Sequence, residues 1–158
     1  MNHYQTPQAS LKREQLTDRP VKALLLGGLI AFVVVNIVST LSAVVFVVMN
    51  GVNMLDEAAF TRALADSTMY LIFDLLLSAV IMYFAGRVAG RYAPGQAQWI
   101  GIVLGVMTVI VYGLLYLILD AYSDWPVWYM VLSFSLMLVM PIIGAHASSR
   151  LAMNVAEG

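Results

Sequence analysis

Apolar and polar positions alternate in long blocks along this chain, and the block lengths predict its elements. From Ala23 to Met49, 27 residues pass without a charge. Further apolar runs cover 68–86, broken only by Asp74, then 98–119 and 127–147. Each is close to or above the roughly 20 residues that cross the hydrocarbon of a bilayer as a helix. An unpaired backbone amide in lipid costs several kcal/mol, and these runs far exceed a barrel strand of about ten alternating residues. The fold class predicted is therefore all-α: a polytopic membrane protein with a four-transmembrane-helix bundle. A polar leader (1–22) precedes a transmembrane domain (23–152) and a short tail (153–158). The first run is too long for the apolar part of a cleaved signal and follows 22 mostly polar residues, so a retained anchor is expected. In the longest loop, Asn53 is expected to cap a short surface helix. Asp56 and Glu57 would lie in its first turn and Leu55, Ala59, Ala63, Phe60 and Leu64 on one side.

A repeat organises the runs into pairs. AGRVAGRYA at 85–93 and GAHASSRLA at 144–152 share a pattern of small, basic and apolar positions at an offset of 59, which also matches Asp74 with Ser133. Two tandem helical hairpins pointing the same way are predicted. Gly86 and Gly90, like Ala145 and Ser149, form small-xxx-small steps suited to close helix packing. Pro141 predicts a kink in the fourth span.

Composition and charge then set the context. With 61% hydrophobic and 11% charged residues, a chain of 158 residues cannot bury its apolar side chains in one small aqueous core. The absence of cysteine excludes disulfides, thiolate metal sites and cysteine nucleophiles. A net charge of −1 gives no general attraction to nucleic acid. Of the eight basic residues, seven (Lys12, Arg13, Arg19, Lys22, Arg87, Arg91 and Arg150) fall on one side of the predicted membrane and only Arg62 on the other. The positive-inside rule puts both termini in the cytoplasm. Aromatic belts are expected from Trp99 and Tyr92 at the inner interface and from Tyr122, Trp125, Trp128 and Tyr129 at the outer one.

The leader NHYQTPQAS, with Asn2, Tyr4, Pro7 and Ala9, and the helix end AGRVAGRYAPG together resemble a group of small uncharacterised proteobacterial inner-membrane proteins. These share an N-x-Y-x-x-P-x-A start and a Gly/Ala/Arg helix end. The resemblance implies a bacterial inner-membrane location and carries over no catalytic residue. Asn36 and Asp74 are not part of it.

Candidate chemistry is confined to polar residues inside the spans. At 1.5 Å per residue, Asn36, Asp74 and Tyr112 each lie about 20 Å from the cytoplasmic end of their helices, and Ser133 falls at a similar depth. They form a predicted intramembrane polar layer. Thr40 and Ser78 lie one turn from Asn36 and Asp74, and Gly101, Gly105, Thr108, Tyr112 and Tyr116 make a stripe along the third span. An ionised Asp at such depth costs ~2.5–3.5 kcal/mol or more, so Asp74 should face protein. It either binds a proton or cation with Asn36, Tyr112 and Ser133, or donates a hydrogen bond to Asn36 or Tyr112 and joins helices.

At the helix ends, Arg87, Arg91, His146 and Arg150 either snorkel to the interface or contact anionic headgroups. Ser133 and Ser135 lie about 17–20 Å along the axis from His146, too far for a catalytic pair, and common hydrolase, nucleotide and metalloprotease strings are absent. Asp120 and Asp124 have no third ligand nearby, and His3 lies in the leader. No catalytic residue, cofactor or metal is expected. Two functions stay open. One is a non-enzymatic accessory or interaction subunit that packs through helices on itself or on another membrane protein. The other is a small proton- or cation-coupled transporter centred on Asp74, which as four helices would need to oligomerise.

Overall fold

The computed structural model describes residues 19–119 and 125–157, so Lys12, Arg13, His3, Asp120, Tyr122 and Asp124 lie outside the described residues. Among the described residues five helices follow one another, α1 (Pro20–Met49), α2 (Glu57–Ala65), α3 (Thr68–Tyr92), α4 (Ala97–Leu119) and α5 (Val127–Glu157), and there is no strand. α1, α3, α4 and α5 are each long and apolar enough to cross a membrane, which makes this a multi-pass membrane protein built as an all-α four-helix bundle. Half of the apolar window of α3 is buried, against 22%, 33% and 22% for α1, α4 and α5, so α3 is the hub.

Local chemistry sets the helix ends. α1 stops where Gly51 takes φ +67°, with the Val52 amide donating to the Val47 carbonyl and the Gly51 amide to that of Val48. This pattern satisfies the last carbonyls of a helix and favours glycine at the left-handed position. α2 is capped by Asp56, not by Asn53: the Ala59 amide donates to Asp56 Oδ1 at 3.0 Å, while Asn53 Oδ1 accepts from Leu55 in the turn before it. A second turn, closed by the Asp56 amide on the Asn53 carbonyl, covers 53–56 and leaves Leu55 95% exposed ahead of the helix. Leu64 and Ala65 are buried, and Leu64 joins Val47, Tyr70 and Leu71 in a core cluster, so α2 is docked on the bundle. Ser67 caps α3 through the Tyr70 amide. At the opposite end Pro94 halts α3, a short 3-10 turn (Pro94–Gln96) follows, and α4 begins. The Arg19 amide donates to the Tyr92 carbonyl at 2.8 Å and Lys22 Nζ sits 4.8 Å above the Tyr92 ring, tying the start of α1 to the end of α3. This is called the basic end below, and the α1–α2–α3 connection the loop end.

α3 and α5 run parallel through two matched rows of residues four apart, the spacing of a helix ridge. Asp74, Ser78, Met82, Gly86 and Gly90 form one row, and Tyr129, Ser133, Met137, Pro141 and Ala145 the other. Tyr129 bonds Asp74, the four middle residues of the loop half share one narrow gap, Gly86 abuts the Pro141 carbonyl and Gly90 abuts Ala145. α5 continues through Pro141, which is fully buried. At the reciprocal contact, Gly144 lies against the Tyr83 carbonyl. A side chain at either Gly86 or Gly144 would collide with backbone, which has no rotamer to yield. Small residues here set the helix separation.

Candidate intramembrane binding cavity

α1 contains one π-helical turn, Ile30–Val34, immediately before the polar face that starts at Asn36. Such turns re-aim the residues after them and recur at functional sites. Asn36 Nδ2 donates both to the Phe32 carbonyl inside that turn (2.6 Å) and to the Tyr112 hydroxyl of α4 (2.7 Å). The Phe32 and Tyr112 rings stack at 5.7 Å. Thus α1 and α4 are clasped at one level by a neutral pair.

Asp74 is held separately. It is 6% exposed, and each of its carboxylate oxygens accepts one hydroxyl: Ser39 of α1 at 2.8 Å on Oδ1, and Tyr129 of α5 at 2.6 Å on Oδ2. Hydrogen bonds to a charged group stabilise by about 1.5–3 kcal/mol each, so these two offset part of the burial of a carboxylate. The expected partners, Asn36 and Tyr112, bond each other instead. The predicted polar layer is therefore a pair, Asn36–Tyr112, and a trio, Ser39–Asp74–Tyr129, around a common space, with Ser133 on its wall.

That space is a cavity of about 210 Å³. Asn36, Ser39, Thr40, Ser78 and Ser133 supply its polar wall along with Asp74, and aromatic rings from Tyr70, Tyr112, Trp125, Tyr129 and Phe134 supply much of the rest. Asp74 is the only charged side chain on the wall among the described residues. Two residues assigned by sequence to an interfacial belt, Trp125 and Tyr129, belong to this cavity. Tyr129 is buried, with its ring 4.9 Å from that of Trp125. Ser39 and Tyr129 were legible in principle, since Ser39 is one turn from Asn36 and Tyr129 one turn from Ser133. Trp99, by contrast, is 63% exposed.

The small-residue steps lie in the α3–α5 seam: Gly86, Gly90, Ala145 and Ser149 are all buried. Ser148 rather than Ser149 meets Gly90, and the Ser149 hydroxyl donates to the His146 carbonyl. The stripe of α4 also turns inward, with Gly101 against Ile142, Gly105 against Leu138, and Thr108 fully buried with its hydroxyl on the Leu104 carbonyl. Of the four basic helix-end residues, Arg91, His146 and Arg150 are exposed. Arg87 is half-buried, and its Nε is shielded and without a hydrogen-bond partner. No group of three His, Cys, Asp or Glu side chains with metal-holding geometry occurs among the described residues.

Compared with family models, curated proteins and solved structures, the chain matches none of them.

Proposed function

We propose that this is a non-enzymatic membrane protein that binds a small cation at Asp74 and moves it across the bilayer, as a small proton- or cation-coupled transporter. We place it in a bacterial inner membrane with both termini cytoplasmic, as its arginine and lysine distribution and its leader suggest. One observation carries the reading: a carboxylate 94% buried within a membrane span lies on the wall of a cavity with further polar groups where, among the described residues, no other charge offsets it. A carboxylate serving only to join helices has no use for such a space beside it, whereas a binding site requires one. Proteoliposomes containing the purified chain should show proton or cation flux that falls by at least about tenfold in Asp74→Asn. Equal flux in wild type and variant would defeat the proposal.

A second reading is an accessory subunit that acts through helix packing, on itself or on another membrane protein. The Gly86–Gly90 and Ala145–Ser149 steps are engaged within the chain, so a partner would need other surfaces. Gly28 of α1 and Gly113 of α4 face open space and offer such surfaces. Absence of flux together with site-specific crosslinking from Gly28 or Gly113 to one defined membrane protein would favour this reading.

A further inference from the structure

We infer that the cavity selects an organic ammonium ion, a monocation with at least one apolar arm, over a bare metal ion. This rests on the cation-binding role proposed for Asp74 and names its ligand class. Three features of the wall point to it.

The donor set is wrong for a dehydrated metal. Hard divalent cations take six or more oxygens converging on one point. Among the described residues a single carboxylate serves the cavity, and each of its oxygens already accepts a hydroxyl. The rings are right for an ammonium ion. Tyr70, Tyr112, Trp125, Tyr129 and Phe134 all line the space, with Trp125 and Tyr129 forming a corner at 39° to each other. Aromatic faces attract ammonium groups through their quadrupole, so rings on the wall of a space that also holds a carboxylate favour a substituted ammonium ion. The size also fits. A volume of 210 Å³ equals about seven waters at ~30 Å³ each, far more than one metal ion needs. The remainder of the wall includes Val35, Ala43, Leu64, Met130 and Met137, an apolar lining for the ion's arm in which the two methionines can adapt their shape.

In such a complex the ammonium would lie between Asp74 and the rings, drawn by the carboxylate while Ser39 and Tyr129 hold its orientation. The balance of charge is simple, with one buried negative group and one positive ligand. The hydroxyls keep the carboxylate fixed between ligand encounters, so the site is preorganised.

Calorimetric titration of the full chain in lipid nanodiscs tests this, with benzyltrimethylammonium as the probe, benzyl alcohol as a neutral comparison and sodium as competitor. The expected result is binding of benzyltrimethylammonium above the empty-nanodisc background, with no such signal from benzyl alcohol and no competition by sodium at equal concentration. Asp74→Asn should weaken binding by more than about tenfold, Trp125→Leu by about three- to tenfold, and Trp125→Phe by less than Trp125→Leu. Trp125 is half-buried, so its variants keep the test alive if Asp74→Asn does not fold. Sodium binding that depends on Asp74, with no binding of the ammonium, would overturn the ligand class and leave the cation-site reading standing. Ammonium binding unchanged in both variants would put the ligand elsewhere and overturn the inference. Binding of neither cation by wild type would overturn the inference, and proton flux that depends on Asp74 would then decide whether the transporter reading stands.

Discussion

At the basic end, α3 and α5 approach until the Gly86 and Gly144 backbones touch backbone across the seam. At the loop end, the same two ridges are bridged by a phenol and a carboxylate, Tyr129 to Asp74. The rows are continuous and in one register, so the difference comes from the side chains on them. Glycine and alanine let helices close by van der Waals contact, the main attraction available in lipid. Tyr, Ser and Asp hold the loop half at side-chain length and leave a polar space beside it. One pair of helices thus carries both a rigid joint and a site.

The largest expected break in this comparison is at the joint. Replacing Gly144 by Leu drives a side chain into the Tyr83 carbonyl, and overpacking against unyielding backbone should destabilise by about 3 kcal/mol or more. The same change at Gly113, which has nothing within 4 Å, should leave stability within about 0.5 kcal/mol. Reversible unfolding in mixed micelles would measure both. A Gly144→Leu protein as stable as Gly113→Leu would mean that the seam does not set the helix spacing.

Next in size is the bridge at the site. Tyr129→Phe keeps the ring and removes only the hydroxyl that Asp74 Oδ2 accepts, so a loss of about 1.5–3 kcal/mol is expected in the same assay. Ser39→Ala removes the other hydroxyl, and with both absent the carboxylate retains neither of these bonds. The double variant should therefore be worse than the sum of the singles. Simple additivity, or no change in Tyr129→Phe, would show that the loop half does not rely on this bridge.

These two halves were unequally legible in sequence. Unbroken apolar length revealed the four spans, since hydrocarbon thickness fixes a helix length whatever the packing. The glycine steps flagged the joint because closeness needs only small residues at the right spacing. What they could not say is that Gly86 meets Pro141 and Gly90 meets Ser148, because register between helices is a tertiary matter. The polar layer was visible as depth, and depth alone paired Asp74 with Asn36 and Tyr112. Rotation about each helix decides the actual partners, and the π-helical turn at Ile30–Val34, which contains neither proline nor glycine, shifts that rotation within α1. Tyr129 and Trp125 resembled belt residues for the same reason: an aromatic near a helix end can face headgroups or the bundle, and spacing from Ser133 is the only clue that Tyr129 turns inward. Asn53 lost the cap of α2 to Asp56 because Asn53 instead closes the turn over 53–56, its side chain accepting from the Leu55 amide and its carbonyl from the Asp56 amide.

The smallest expected effect concerns the neutral pair, and it probes how tightly the cavity's far wall is held. Asn36 is exposed, and its amide reaches Tyr112 across the space between α1 and α4. Interhelical hydrogen bonds in membrane proteins average about 0.6 kcal/mol and reach about 1.7, because the separated helices find other partners. A double-mutant cycle on Asn36→Leu and Tyr112→Phe should therefore give a coupling of about 0.6 kcal/mol. The Phe32–Tyr112 ring stack survives in Tyr112→Phe, so the cycle isolates the polar contact. A coupling above about 1.7 kcal/mol would make the clasp as strong as the charged bridge at Asp74 and would show that the far wall is held as tightly as the carboxylate. A coupling near the average instead leaves α1 joined to the site chiefly through Ser39, so that any ligand displacing the Ser39 hydroxyl from Asp74 would also loosen α1.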